Sequence, residues 1–287
     1  MSLSKILFVA VQYGLPHHWL SRLVGRLTHC RTPLVKDGLI RGFIRLYRVD
    51  LREAKYPDPS QYDCFNAFFT RPLKWGARPL PIGPAQIASP ADGVISQIGR
   101  CSDGSMIQAK DKCFGLSALL GGSEERALPF HNGHFVTVYL SPRDYHRLHM
   151  PLDGTLRQMI LVPGQLFSVN QTTSERVPNL YGRNERVIAL FDTEAGPMAL
   201  VLVGALFVAS IETTWYGVVT PPRGEVITVW HYPKNPPQLR QGEELGRFNM
   251  GSTIIVLFGP EAVAWSESLA AGSPLHMGES LGQCLNA

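Results

Sequence analysis

The run Met250-Gly251-Ser252-Thr253 holds the most reactive arrangement in the chain. A glycine carbonyl has no Cβ to shield it, and the Ser252 hydroxyl lies one residue away. With strain and a base nearby, Oγ can attack the Gly251 carbonyl and turn the amide into an ester. Gly-Ser-Thr is also a common turn at the start of a strand. A strand does follow: Thr253 to Phe258 is β-branched and apolar, and Gly259-Pro260 ends it. Self-cleavage therefore needs a base and a group to orient that base.

His146 and His149 are candidates for the base, three apart in Asp144-Tyr145-His146-Arg147-Leu148-His149. On a helix that spacing shares one face. Three readings are open. The pair could ligate zinc, although nothing supplies a convincing third ligand, so no metal is expected. It could be structural, solvated or bonded to backbone. It could also be a general base and a separate proton donor in one pocket. Asp92, in Pro90-Ala91-Asp92-Gly93, reads by itself as a turn aspartate before a strand. Phe167-Ser168-Val169-Asn170 reads as a strand or loop edge.

The elements that must position these groups change character along the chain. Leu3 to about Tyr56 has a helical pattern, with Pro16 and Thr32-Pro33 as start signals. Trp19, Leu20, Leu23, Val24 and Leu27 fall on one stripe, and Val35, Leu39, Ile40, Phe43, Ile44 and Tyr47 on another. Through Arg48, Asp37 is the only acid against Lys5, Arg22, Arg26, Arg31, Lys36, Arg41, Arg45 and Arg48. Such a segment can lie in the headgroup layer of an anionic bilayer, or cap the protein's own core. Tyr56-Pro57-Asp58-Pro59 breaks the pattern and gives a boundary, with residues 1–56 helical and 57–287 catalytic. A short helix is expected at Phe65 to Thr70, and a helical turn at Leu116 to Leu120.

From Ile87 the pattern is one of short strands between Gly and Pro turns. They are expected at Gly93–Ile98, Phe135–Leu140, Val187–Phe191, Ala199–Val203, Phe207–Glu212, Gly217–Thr220 and Val226–Trp230. The class is α+β: a helical N-terminal segment, then a β-rich domain of sandwich or barrel type. A chain of 287 residues, 45% hydrophobic and 17% charged, can bury a sizeable core. The balance of 27 basic to 23 acidic residues is too even to argue for nucleic acid. Five cysteines without a Cys-x-x-Cys pair read as free thiols. The longest apolar run, Met198 to Ile211, is shorter than the ~20 residues of a spanning helix and is broken by Gly204. The N-terminal Ile6 to Val11 is too short for a signal peptide or a span.

Met250-Gly251-Ser252-Thr253 resembles the Leu-Gly-Ser-Thr processing motif of bacterial phosphatidylserine decarboxylases, with Met in place of Leu. The resemblance extends through Ser89-Pro90-Ala91-Asp92-Gly93-Val94-Ile95, Ser141 to Pro151, Val162-Pro163-Gly164, Phe167 to Asn170 and Asn184-Glu185-Arg186-Val187. It implies that His149 is the base, oriented by Asp92, that takes the Ser252 proton. Ester formation, loss of the Ser252 Cα proton and release of the Gly251 carboxylate would leave dehydroalanine. Its hydrolysis would give ammonia and a pyruvoyl group on the small chain. That carbonyl, made from Ser252, would bind the substrate amine and accept the electrons left by the departing carboxylate. His146 would sit in the substrate pocket, and Phe167, Ser168, Val169 and Asn170 would hold the phosphoserine head. The substrate would be phosphatidylserine and the partners an anionic membrane and the two chains of one precursor. The place would be the cytoplasmic face of the bacterial inner membrane, peripherally. A homodimer is compatible with the sequence. Decarboxylation of another amine and non-enzymatic phospholipid binding are the alternatives.

Overall fold

A computed structural model describes residues 3–83, 85–109, 112–206, 210–222, 224–250 and 253–285, with side chains described from residue 6. Gly251 and Ser252 lie outside the described residues, as do Phe207, Val208 and Ala209 of an expected strand. Helices α1 (Leu3–Gly14), α2 (His17–Thr28), α3 (Pro33–Tyr47) and α4 (Phe65–Phe69) come first. Pro16 stands at the α2 N-cap, and Pro33 opens α3 where a missing N–H costs nothing. The run of longer helices stops at Tyr47, short of Tyr56.

Most of the remainder is built on a nine-stranded antiparallel sheet. Its main path runs Thr228–His231, Gly154–Val162, Arg186–Thr193, Gly196–Val203, Thr253–Phe258, His134–Tyr139, Gly93–Arg100 and Pro274–Leu275. The path is open at both ends, so the architecture is one of layered sheets and the barrel expectation is corrected. Strands too short to carry the shear of a closed sheet, such as Pro274–Leu275, end it instead. Gly154–Val162 is the longest strand among the described residues, yet the sequence reading did not identify it. Gly-Thr-Leu-Arg-Gln-Met-Ile-Leu-Val alternates only in its first half, because its second half is buried on both faces.

Both faces of this sheet are covered. Ile254, Val256 and Phe258 face one core, which includes Leu148, Ile211, Leu245 and Phe248 of a four-stranded sheet. Ile255 and Leu257 face the other, formed with Leu116, Leu119, Leu180 and Tyr181 of short helices. Thr253–Phe258 is therefore buried at every position, as its unbroken apolar composition requires. A third, aromatic core joins Ile40 of α3 to Tyr62, Phe65, Phe68 and Phe69. It draws on both sides of residue 56.

Helix α2 is inverted relative to an ordinary surface helix. His17, Ser21 and Thr28 are buried, while Trp19, Leu23 and Leu27 are 63%, 50% and 46% exposed. Its polar face meets the protein: His18 Nε2 bonds the Gly164 carbonyl, and His17 approaches the Leu166 amide. The stripe of α3 faces inward instead, through Ile40 and Phe43. No helix among the described residues is long and apolar enough to cross a membrane.

Candidate active site

On three adjacent strands, Asp92, the histidine loop and the start of Thr253–Phe258 meet at one end of the sheet. Asp92 directly precedes Gly93–Arg100, and the histidine loop leaves the end of His134–Tyr139. Ser252 directly precedes Thr253–Phe258. Val94 and Thr253 both register on Tyr139. The middle strand is antiparallel to both neighbours, so its exit and their entries share one end of the sheet. The outer two strands lie two spacings apart, about 10 Å.

The histidine pair is not helical. Arg147–His149 is a strand paired with Glu244–Phe248, which corrects the shared-face expectation. Pro142 and Pro151 bound the segment, and sheet pairing overrides any local helical preference. The two backbones are tied to different neighbours. The His146 carbonyl accepts from the Phe248 amide at 3.1 Å, on the strand leading to Met250. The His149 amide donates to the Pro90 carbonyl at 2.9 Å, beside Asp92.

His149 is 9% exposed and its tautomer is fixed. Nδ1 lies 2.8 Å from the Gly242 carbonyl, which only accepts, so Nδ1 carries the proton. Nε2 is then an acceptor, and the Tyr145 hydroxyl donates to it at 3.0 Å. Burial lowers the His149 pKa; the Gly242 bond and the charges of Glu244 and Asp92 oppose that, and Arg147 adds to it. Asp92 makes no hydrogen bond to His149 among the described residues. Arg78 holds both its oxygens, Nε at 2.9 Å and Nη2 at 2.6 Å, and the Met277 amide donates to Oδ1 at 2.8 Å. The atom that directly fixes the His149 ring is the Gly242 carbonyl.

His146 is fully buried, with Phe69 against its ring at 4.0 Å between centroids. Burial, aided by the Arg71 charge, lowers its pKa to about 3 against the pull of the Asp144 carbonyl on Nδ1. The imidazole is neutral, and its Nε2 has no hydrogen-bond partner among the described residues.

The chain entering Met250-Gly251-Ser252 is both clamped and strained. Asn249 donates through Nδ2 to Ser210 Oγ at 2.6 Å and accepts on Oδ1 from Asn66 of α4 at 3.0 Å. Met250 then adopts φ +107°, a region that side chains rarely occupy. Beside Met250 lies a cavity of about 290 Å³ lined by Phe8, Phe43, Phe69, Tyr139, Ser168, Val169 and Asn170, among others. Phe167 does not line it; its ring packs on Tyr13 and His17 instead. Asn170 Oδ1 is already used, accepting from the Thr173 amide. Sequence reasoning missed Tyr145, Gly242, Arg78 and Asn249. Tyr145, inside the histidine run, and Asn249, next to Met250, carried a local signal.

Comparison with known proteins accords with this geometry. A family model described as phosphatidylserine decarboxylase matches residues 65–283, and one described as PSD matches residues 7–48. The chain belongs to the phosphatidylserine decarboxylase family. It is 58% identical over 283 residues to a phosphatidylserine decarboxylase proenzyme of Pseudomonas aeruginosa (strain LESB58), covering 98% of each chain. Proteins of the same name from Ectopseudomonas mendocina (strain ymp) and Methylococcus capsulatus are 58% and 55% identical over 278 residues. Those alignments cover 96% and 97% of this chain and 97% and 96% of the others. The Asp92 turn, the histidine loop and Thr253–Phe258 all fall inside the larger match, and α1 to α3 overlap the smaller one.

Proposed function

We propose that the chain is a proenzyme that cuts itself between Gly251 and Ser252, then converts phosphatidylserine to phosphatidylethanolamine and carbon dioxide. The observation that carries this reading is the convergence of Asp92, the histidine loop and the start of Thr253–Phe258 at one end of the sheet. In this reading His149 Nε2 takes the Ser252 hydroxyl proton once the Tyr145 hydroxyl gives way. Gly242 keeps the ring in the tautomer that leaves Nε2 basic. Asp92 acts through its charge, which favours the imidazolium formed in that step. Strain at Met250 is relieved as the peptide bond opens.

The site fits a pyruvoyl group at position 252. Buried polar atoms without partners among the described residues surround that end of the sheet: His146 Nε2, Ser141 Oγ, Thr253 Oγ1 and Asn66 Oδ1. They are suited to a polar occupant that the described residues do not supply. The pyruvoyl carbonyl would supply the electron sink for decarboxylation. His146 Nε2, held neutral, accepts a hydrogen bond from the substrate amine. Phe69 and Phe43 exclude water from the cavity beside Met250, while Ser168, Val169 and Asn170 bound its far side.

The inverted face of α2 supports peripheral attachment to an anionic membrane, at the cytoplasmic face. Trp19, Leu23 and Leu27 would enter the headgroup layer, with Arg22 and Arg26 near phosphates. Mass spectrometry of the purified protein tests the cleavage. The expected small chain begins at former Ser252 and lacks an N-terminal amine. A free serine there, or an active uncut chain, would refute the reading.

A further inference from the structure

Among the described residues, two arginines are buried without a carboxylate bonded to them, and they differ in one respect. Arg186 uses all three nitrogens on backbone carbonyls: Nε on Leu119, Nη1 on Gly182 and Asn184, Nη2 on Ala118. It is a satisfied structural staple. Arg71 is 4% exposed, and only its Nη2 is bonded, to the carbonyls of Arg143 at 2.8 Å and Asp144 at 3.3 Å. Its Nε and Nη1 have no partner among the described residues. Native proteins rarely leave donors idle in a dry site, and a guanidinium fork is shaped for two oxygens of one anion.

The place of Arg71 makes that idleness informative. It follows Phe69, which lies against His146, by two residues, and its guanidinium sits over the Phe68 ring at 5.7 Å. It lines a cavity of about 260 Å³ together with Arg48 and Arg143. The acids around that cavity are already engaged. Arg78 holds Glu53 and Asp92, Arg52 holds Asp50, and Asp144 accepts from the Ser141 amide. Arg48 has no ion pair among the described residues, and the nearest approach of Arg143 to Asp144 is 3.9 Å. Four arginines and four carboxylates line the cavity, and Arg52, bonded to Asp50 from outside the lining, tips the balance to one positive charge.

We propose that Arg71 binds an anionic oxygen of the lipid headgroup, phosphodiester or carboxylate, and so fixes the headgroup against His146. The inference rests on the decarboxylase reading. It adds a residue outside the Asp92, His149 and Ser252 set.

The test uses full-length Arg71→Gln and Arg71→Lys, assayed on phosphatidylserine in mixed micelles after the matured fraction is quantified. Arg71→Gln should raise KM by about 10- to 100-fold with a much smaller change in kcat, as expected for a lost charge-assisted pair. Arg71→Lys keeps the charge but not the fork and should fall between. Glycerophosphoethanolamine offers a phosphate without a carboxylate, and free serine a carboxylate without a phosphate. The one whose inhibition weakens in Arg71→Gln identifies the group held. An unchanged KM with both inhibitors still effective would overturn the proposal while leaving the decarboxylase reading intact. A parent protein that neither cleaves nor decarboxylates would overturn that reading instead.

Discussion

Backbone strain at Met250 gives a test of how the proposed self-cleavage would be driven. A side chain at φ +107° is held at a cost of about 1–3 kcal/mol, and the Asn249 clamp is what holds it. Glycine tolerates that conformation, so Met250→Gly removes the strain from the intact chain. If the strain is released as the amide becomes an ester, its loss slows cleavage by roughly 5- to 150-fold. Met250 also packs on the aromatic core of α3 and α4, so Met250→Ala is the necessary control. Alanine loses the packing but keeps a Cβ and hence the strain. Glycine's added flexibility belongs to the unfolded chain, so it alters melting without altering the rate of a step between folded states. The assay is a gel time course of freshly synthesised protein at fixed temperature. The glycine variant should cleave more slowly than the alanine variant. Equal rates for the two would show that this strain is not spent in the cleavage step.

The histidines should separate by readout. His149→Ala should leave the chain uncut, whereas His146→Ala should still mature but retain little decarboxylation; a His149→Ala protein that matures normally would refute the assignment of the base. The acid limb of stability should carry the signature of His146, whose folded pKa of about 3 lies below its ordinary 6.5. The unfolded chain takes up a proton below about pH 6.5 and the folded chain does not. The stabilisation is therefore whole above pH 6.5 and is lost as pH falls toward 3, by at most about 1.4 kcal/mol per pH unit for one histidine. Denaturant melts of a Ser252→Ala chain should show a shallower decline over that window when His146 is replaced by Gln. Replacing Arg22, Arg26, Arg41 and Arg45 by Gln should release the protein from anionic vesicles, at about 1 kcal/mol per charge at low salt. Equal sedimentation of parent and variant at low and high salt would assign those helices to capping alone.

What the sequence disclosed follows from where the physics is local. Thr253–Phe258 was legible because burial on both faces demands an unbroken apolar run, and α3 because Pro33 and an inward stripe mark it. The orientation of α2 was not legible. Trp19, Leu23 and Leu27 make the same stripe whether they face a core or a bilayer, and only the buried His17 and Ser21 decide. The strand at the histidine run was not legible because a three-residue spacing carries no record of its partner, Glu244–Phe248, almost a hundred residues later. Gly242 and Arg78 escaped for a similar reason. A carbonyl that accepts from an imidazole has no side chain to betray it, and an arginine that claims a carboxylate is identified only by its neighbour.

The central position of Thr253–Phe258 has a consequence for the life history of the molecule. That strand is bonded on both sides, to Gly196–Val203 and to His134–Tyr139, and five large side chains from Ile254 to Phe258 lie in its two cores. At about 1.5–3 kcal/mol each, their burial alone holds the segment by roughly 10 kcal/mol. A cut after Gly251 would therefore sever the polypeptide without releasing the piece beyond it. Before the cut, folding is unimolecular. Afterward, two chains must find each other, and the shorter one would have to recover the middle of a sheet whose neighbours have closed or aggregated in its absence. Heating and cooling should thus be reversible for a Ser252→Ala chain and irreversible for the matured one. The protein would have a single opportunity to fold, and its working lifetime would be set by how slowly that first structure comes apart.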